Sequence, residues 1–155
     1  MNHIIIRNPS HWEKLLAIVV GLSLGILVST TANADLDKAM AGKNEFVLGN
    51  YEKAITLFIS FAKSSPNSSN ILDSKLWLAR SYAANEAYLK SKDAFLDYQS
   101  NNKEHPKYAD SMFELTRVLI KLNEVNEAKL LLLDMIKQYP DHSLINKANQ
   151  LLLDL

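Results

Sequence analysis

An all-α stack of helix pairs, an α-solenoid, is the fold class this sequence predicts, and three observations carry that reading. Residues of like size recur every 37 positions: Ala54, Ser91 and Ala128; Phe58, Phe95 and Leu132; Tyr51, Tyr88 and Val125; Gly42, Ala79 and Thr116. A period in this range marks supersecondary units that cannot bury their apolar faces alone and must stack on one another. From Asp35 onward, apolar residues recur at helical spacing and strand-like alternation never persists. Only four Gly and four Pro occur in 155 residues, too few turn residues for the short intervals of an all-β chain.

The elements follow in order. A first helix is expected over about 36–48, stopped by Gly49-Asn50, residue types that end helices. A second runs over 51–64 with Ala54, Leu57, Phe58 and Phe61 on one face, before the polar turn at 64–69. A third covers about 70–84 and a fourth 88–101. Pro106 is expected to open the fifth at its first position, where the missing N–H costs nothing, and that helix continues to Leu122. The sixth covers 125–138. The seventh, about 144–152, carries Leu144, Ile145, Ala148, Leu151 and Leu152 on one stripe.

The helices group into three helix-turn-helix repeats, about 36–66, 70–103 and 107–140, with 143–155 as a capping helix over the apolar edge of the last repeat. Small residues belong where helices cross closely. Gly42 is therefore expected to face Ala54, Ala79 to face Ser91, and Thr116 to face Ala128. Phe58, Phe95 and Leu132 are expected to fill the space between repeats.

The repeat domain is expected over 35–155. The segment before it reads as a secretory signal peptide, 1–34: Arg7 and Lys14, an apolar run over 15–28, then small residues ending in Ala32-Asn33-Ala34. Cleavage is expected between Ala34 and Asp35, giving a periplasmic protein. The run is short for a membrane span, though reading on to Ala34 makes an inner-membrane anchor facing the periplasm the alternative. The absence of cysteine excludes a bacterial lipoprotein, disulfides and zinc-thiolate sites. A formal charge of zero gives no nucleic-acid footprint.

The pattern within each unit matches a known one. Gly42 … Gly49-Asn50-Tyr51-Glu52-Lys53-Ala54-Ile55 … Phe58 … Pro66 resembles the tetratricopeptide repeat (TPR), as do Trp77-Leu78-Ala79 … Tyr82 … Tyr88 … Ser91 … Phe95 and the weaker copy from Leu115-Thr116 to Pro140. The resemblance covers nearly all of 36–155 and implies a TPR-like α-solenoid. The period, the leader, Trp77-Leu78-Ala79-Arg80-Ser81-Tyr82 and Met135-Ile136-Lys137-Gln138-Tyr139-Pro140 look like the C-terminal repeats of the Tol–Pal-associated cell-division coordinators (CpoB/YbgF). That resemblance implies a periplasmic link between Tol–Pal and the cell wall. The coordinators' coiled coil is not found ahead of these repeats, so a monomer is expected.

Catalysis has little to draw on. No nucleophile–base motif or phosphate-binding loop is present, and neither a cofactor nor a metal is expected. His105 and His142 are repeat equivalents, read as solvated loop residues rather than metal ligands. Asp73 and Asp110, also equivalents, suit helix N-termini. Trp77, Tyr82, Phe95 and Tyr98 read as packing aromatics, with the hydroxyls of Tyr82 and Tyr98 nearest the surface.

One series suggests binding. Lys43, Arg80 and Arg117 fall one per repeat on the first helix of each pair. In tetratricopeptide repeats that helix lines the concave groove, so the resemblance places these three there, with Leu76 and Phe113 as apolar contacts. The partner expected is a protein or peptide segment carrying acidic groups, with Tol–Pal or other envelope proteins as candidates. A membrane would be met only through an uncleaved signal. Three function classes follow: a binding scaffold, a chaperone-like assembly factor for envelope or secretion proteins, and, remotely, an enzyme subunit.

Overall fold

A computed structural model describes residues 36–100 and 102–155. The expected signal segment, 1–34, and its junction at Ala34–Asp35 lie outside the described residues. Seven helices are seen and no strand among those residues: α1 over 36–47, α2 Tyr51–Ser64, α3 Ile71–Ala84, α4 Tyr88–Gln99, α5 Tyr108–Lys121, α6 Val125–Gln138 and α7 Ile145–Leu153. From α2 onward each helix packs on the next, and α3 also touches α5, its counterpart in the following unit. This is an open stack of helix pairs rather than a closed bundle.

The 37-residue period is written into the backbone as well as the side chains. Each pair is joined by the same tight turn. The N–H groups of Asn50, Ala87 and Glu124 donate to the carbonyls of Glu45, Tyr82 and Leu119, each at 2.9 Å. One residue earlier, Gly49, Glu86 and Asn123 donate to Phe46, Ala83 and Ile120. These paired bonds satisfy the last carbonyls of a helix and require a left-handed residue at the turn. All three occupants are left-handed, with φ of 80° at Gly49, 59° at Glu86 and 62° at Asn123. Glycine and asparagine tolerate that region, whereas glutamate has its Cβ crowded against the following backbone.

The links between pairs repeat as closely. The N–H groups of Ser68, His105 and His142 donate to the carbonyls of Ser65, Asn102 and Tyr139. The side chains of Ser68, His105 and His142 then each accept from the backbone N–H two residues on, at 3.3 Å in every case. The histidines are thus half-buried turn residues that anchor the start of a first helix, correcting the expectation of solvated loops. His105 also meets the Tyr98 hydroxyl at 2.7 Å. Pro106 does not open α5. It sits inside the turn closed by the Tyr108 N–H on the His105 carbonyl, where its fixed φ suits the second turn position, and the helix begins two residues later.

Among the described residues, Ala39, Ala54, Phe58 and Phe61 are buried in the first unit, and two clusters carry the core on along the stack. Leu76, Ala79, Phe95, Tyr98, Leu115, Val118, Leu119 and Ala128 form one, joining the second unit to the third. Tyr108, Ala109, Met112, Leu132, Met135 and Ala148 form the other, joining the third unit to α7. Ile145, Leu151 and Leu152 pack against this second cluster, so α7 covers the edge that the last pair would otherwise expose.

The small residues Gly42, Ala54, Ala79, Ser91, Thr116 and Ala128 are all buried, and one pair shows the expected crossing directly. Ser91 Oγ donates to the Ala79 carbonyl at 2.8 Å, so α3 and α4 meet there as expected. At Gly42 the close neighbour is the Phe58 ring, one turn beyond Ala54. A Cβ on Gly42 would lie 2.7 Å from that ring. Tyr98 is fully buried, which corrects its expected place near the surface, and burial pushes its hydroxyl pKa up to about 12. Ser111 and Ser74 show how equivalent sites diverge. Ser111 Oγ accepts from Gln99 Nε2 at 3.0 Å. Ser74 Oγ is buried without a partner, and the position equivalent to Gln99 is Ala62, which offers it no donor.

Candidate binding groove

The first helices of successive units stand side by side, so equivalent positions on them form rows along one face. Residues from α1, α3, α4, α5 and α7 enclose a groove of about 800 Å³, with Phe46, Tyr88, Phe113 and Leu151 among its apolar walls. Its polar lining includes Arg80, Asp110, Glu114, Arg117, Lys121 and Lys147. Three of the five residues expected at a binding face line it: Arg80, Arg117 and Phe113.

Leu76 does not. It is completely buried in the first core cluster, which corrects its expected role as an apolar contact. The neighbouring Trp77 lies instead in the row of Glu114 and Leu151, while Leu76 points between α3 and the helices behind it.

The three cations are in three different situations. Lys43 lies 3.5 Å from Asp73 and 5.8 Å from the centre of the Trp77 ring, so it is held by α3. Arg80 is committed further. Its Nη2 and Nε donate to the two carboxylate oxygens of Glu114 at 2.6 and 2.8 Å, and its guanidinium stacks 4.9 Å from the Trp77 ring. Burial works to lower the Arg80 pKa, but the Glu114 carboxylate outweighs it and the net direction is upward. A planar fork on a carboxylate is the strong form of ion pair, so a ligand would have to displace Glu114 to use Arg80.

Arg117 is exposed and pairs with no described residue. The reason lies in the repeat. Arg80 reaches the position 34 residues on, which is Glu114. The same step from Arg117 arrives at Leu151, which offers no carboxylate. The sequence reading missed Lys121 and Lys147, which line the groove beside Arg117. Their signal was the period itself, since they stand 37 residues after Ala84 and Asp110. Neither pairs with a described residue. The acids nearby are Asp110, 3.9 Å from His142 Nε2, and Asp154, which accepts from Gln150 Nε2 at 3.0 Å. Among the described residues no group of three His, Cys, Asp or Glu gathers, and no helix is long and apolar enough to cross a membrane.

Comparison with known proteins agrees with this geometry. The tetratricopeptide repeat family matches residues 110–142, the third unit with its flanking turn. The chain is similar in structure to the nearly identical TPR-like repeats of a Podosopora anserina protein assigned to the kinesin light chains. The TM-score is 0.61 at 18% identity, over 75% of this chain and 62% of that one. A single-substitution variant of those repeats gives 0.62 at 19% identity with the same coverage. The chain thus spans less than two thirds of the length of these structures. No curated protein matches it. The fold is a TPR-like α-solenoid. The comparisons lend no support to the narrower likeness to the cell-division coordinators.

Proposed function

We propose that this chain is an exported scaffold that holds a segment of a partner protein in its concave groove. The observation that carries the reading is the groove itself. Four first-position helices line it in succession, with Phe46, Phe113 and Leu151 as apolar walls and Arg117 left without a carboxylate. A concave surface with apolar walls and a few unmet polar groups is where a ligand gains most. The leader-like pattern of 1–34 supports export to the periplasm, with retention at the inner membrane as its variant, and an envelope protein as partner. If the coordinator likeness reports function, Tol–Pal proteins will be among those bound.

The exposed apolar residues Met40 and Val47 of α1 and Leu48 in the turn after it favour a second reading, a less selective assembly helper. Capture from an envelope extract separates the two, because a scaffold retains a few defined proteins and a helper retains many unfolded ones. The same experiment tests the groove. Phe113→Ser with Arg117→Ala should lower capture of a defined partner at least tenfold while the helical circular dichroism stays unchanged. Undiminished capture would move the binding surface off the groove.

A further inference from the structure

The concave face is not chemically uniform, and its gradient describes the segment it accepts. The groove positions of α5 and α7 include Asp110, Glu114, Lys121, Lys147 and Leu151. Whole periods earlier in the chain, the same positions on α1 are Leu36, Met40 and Val47. These three are 45%, 51% and 78% exposed, and they recur on the helical face that carries Lys43. In the middle, Arg80 is closed onto Glu114 and stacked over the Trp77 ring, which Phe46 meets edge-on, so that stretch is aromatic and internally neutralised. At the far end Arg117, Lys121 and Lys147 line the groove with no ion pair to a described residue, three cations against the two carboxylates of Asp110, 3.9 Å from His142 Nε2, and Asp154. The surface therefore passes from apolar at α1, through a neutral aromatic middle, to cationic at α5 and α7.

We propose that the occupant is a partner segment with apolar residues at one end and a cluster of carboxylates at the other, lying so that the apolar end meets α1 and the acidic end meets Arg117, Lys121 and Lys147. The proposal rests on the groove reading above and adds the composition and polarity of the ligand. Charge complementarity carries the choice of occupant. Three cations drawn together by the fold repel one another, and an incoming acidic cluster removes that repulsion while gaining charge-assisted hydrogen bonds. Apolar side chains at the other end remove exposed Leu36, Met40 and Val47 from water. Arg80 contributes little, since its carboxylate is already supplied.

Short fluorescent peptides test this with the full chain at low salt. One probe joins a Leu/Phe-rich half to an Asp/Glu-rich half, and a second carries Lys in place of every acid. The first should bind and weaken with salt, and the second should not bind. Lys121→Glu with Lys147→Glu should cost the acidic probe at least tenfold and admit the lysine probe. Met40→Asp with Val47→Asp should cost the acidic probe at least fivefold, and Arg80→Ala less than twofold. Carbodiimide coupling should join probe carboxylates to Lys121 or Lys147.

Several results would overturn the proposal. Failure of the acidic probe to bind would do so directly. Equal binding of that probe by the parent and the Lys121/Lys147 variant, with loss only in the Met40/Val47 variant, would remove the gradient and leave the groove reading standing. Binding untouched by both double variants and by Phe113→Ser would remove the gradient and the groove together. Coupling of Lys121 or Lys147 to Glu13 of the same chain, or to a second copy, with the probe excluded, would name a different occupant.

Discussion

The two ends of the stack occupy the same place in the repeat and present opposite surfaces. At the start, α1 exposes Leu36, Met40 and Val47 beside Asp37, Lys38 and Asn44, and exposed Leu48 follows in the turn. At the finish, α7 exposes Asn146, Lys147, Asn149 and Gln150, with Leu153 the apolar exception. Both helices bury a narrow face against their neighbours, but in different registers: Ala39 in α1 is 3% exposed and stands whole periods before exposed Gln150, while Ala148 in α7 is 0% exposed and stands whole periods after exposed Asp37. The buried face answers to packing, which reaches each end helix from one side of the stack only. The open face answers to solvent or to a partner, which the period does not constrain. A polar outer face is what a terminal cap requires; an apolar one on a helix that fronts a groove marks a surface with something to bind.

The sharpest way to break this comparison is to remove one end. Ending the chain after Asp141 strips α7 from Met112, Leu132 and Met135, which are at most 1% exposed. The loss should be on the order of 5 kcal/mol, at roughly 1.5–3 kcal/mol per large apolar side chain returned to water, with aggregation on heating. By contrast, Leu36→Ser with Val47→Ser at the other end should change stability by no more than about 0.5 kcal/mol per site. Thermal unfolding of the two variants measures both. If the truncated chain melts like the parent, α7 is not a cap.

A smaller effect probes the packed face of α1. Gly42→Ala places a methyl against the buried Phe58 ring and should cost about 1–3 kcal/mol, as overpacking does. Phe58→Leu in the same chain should recover part of that loss, and a double-mutant cycle in denaturant reads the coupling. Smaller still, Glu86→Gly relieves a left-handed glutamate and should stabilise by about 0.5–1 kcal/mol. Gly49→Ala at the equivalent turn should destabilise by a similar amount. Equal melting of the Glu86→Gly variant and the parent would show that the turn carries no backbone strain.

These contrasts also separate what the sequence displays from what it conceals. The period, the helix pairs, the capping helix and the stop at Gly49-Asn50 follow from residue size and backbone preference, which act locally and repeat. The left-handed turn at Glu86 is hidden, because glutamate carries no turn signal and only its offset from Gly49 and Asn123 gives it away. Periodicity alone misplaces Leu76: its equivalent Phe113 lines the groove, yet Leu76 is completely buried in the first core cluster, so a shared register does not give a shared exposure. Tyr98 reads as a surface hydroxyl from its residue type, yet the half-buried ring of His105, at 2.7 Å, supplies its hydrogen-bond partner. Arg80 and Arg117 share a residue type and a register, yet differ in availability. That difference depends on what stands 34 residues later, a relation between neighbours that no pattern within one unit contains.

The identical links at Ser68, His105 and His142 have a consequence for the length of the molecule. Each joint uses the same backbone bonds and the same side-chain acceptor position, so the cut after Ser65 and the cut after Asn102 are interchangeable. Excising the second unit, or copying it, would leave a joint already present in the chain. Such a protein grows or shrinks in whole steps, like a ruler with fixed divisions. The reach of its concave face is counted in units rather than in residues.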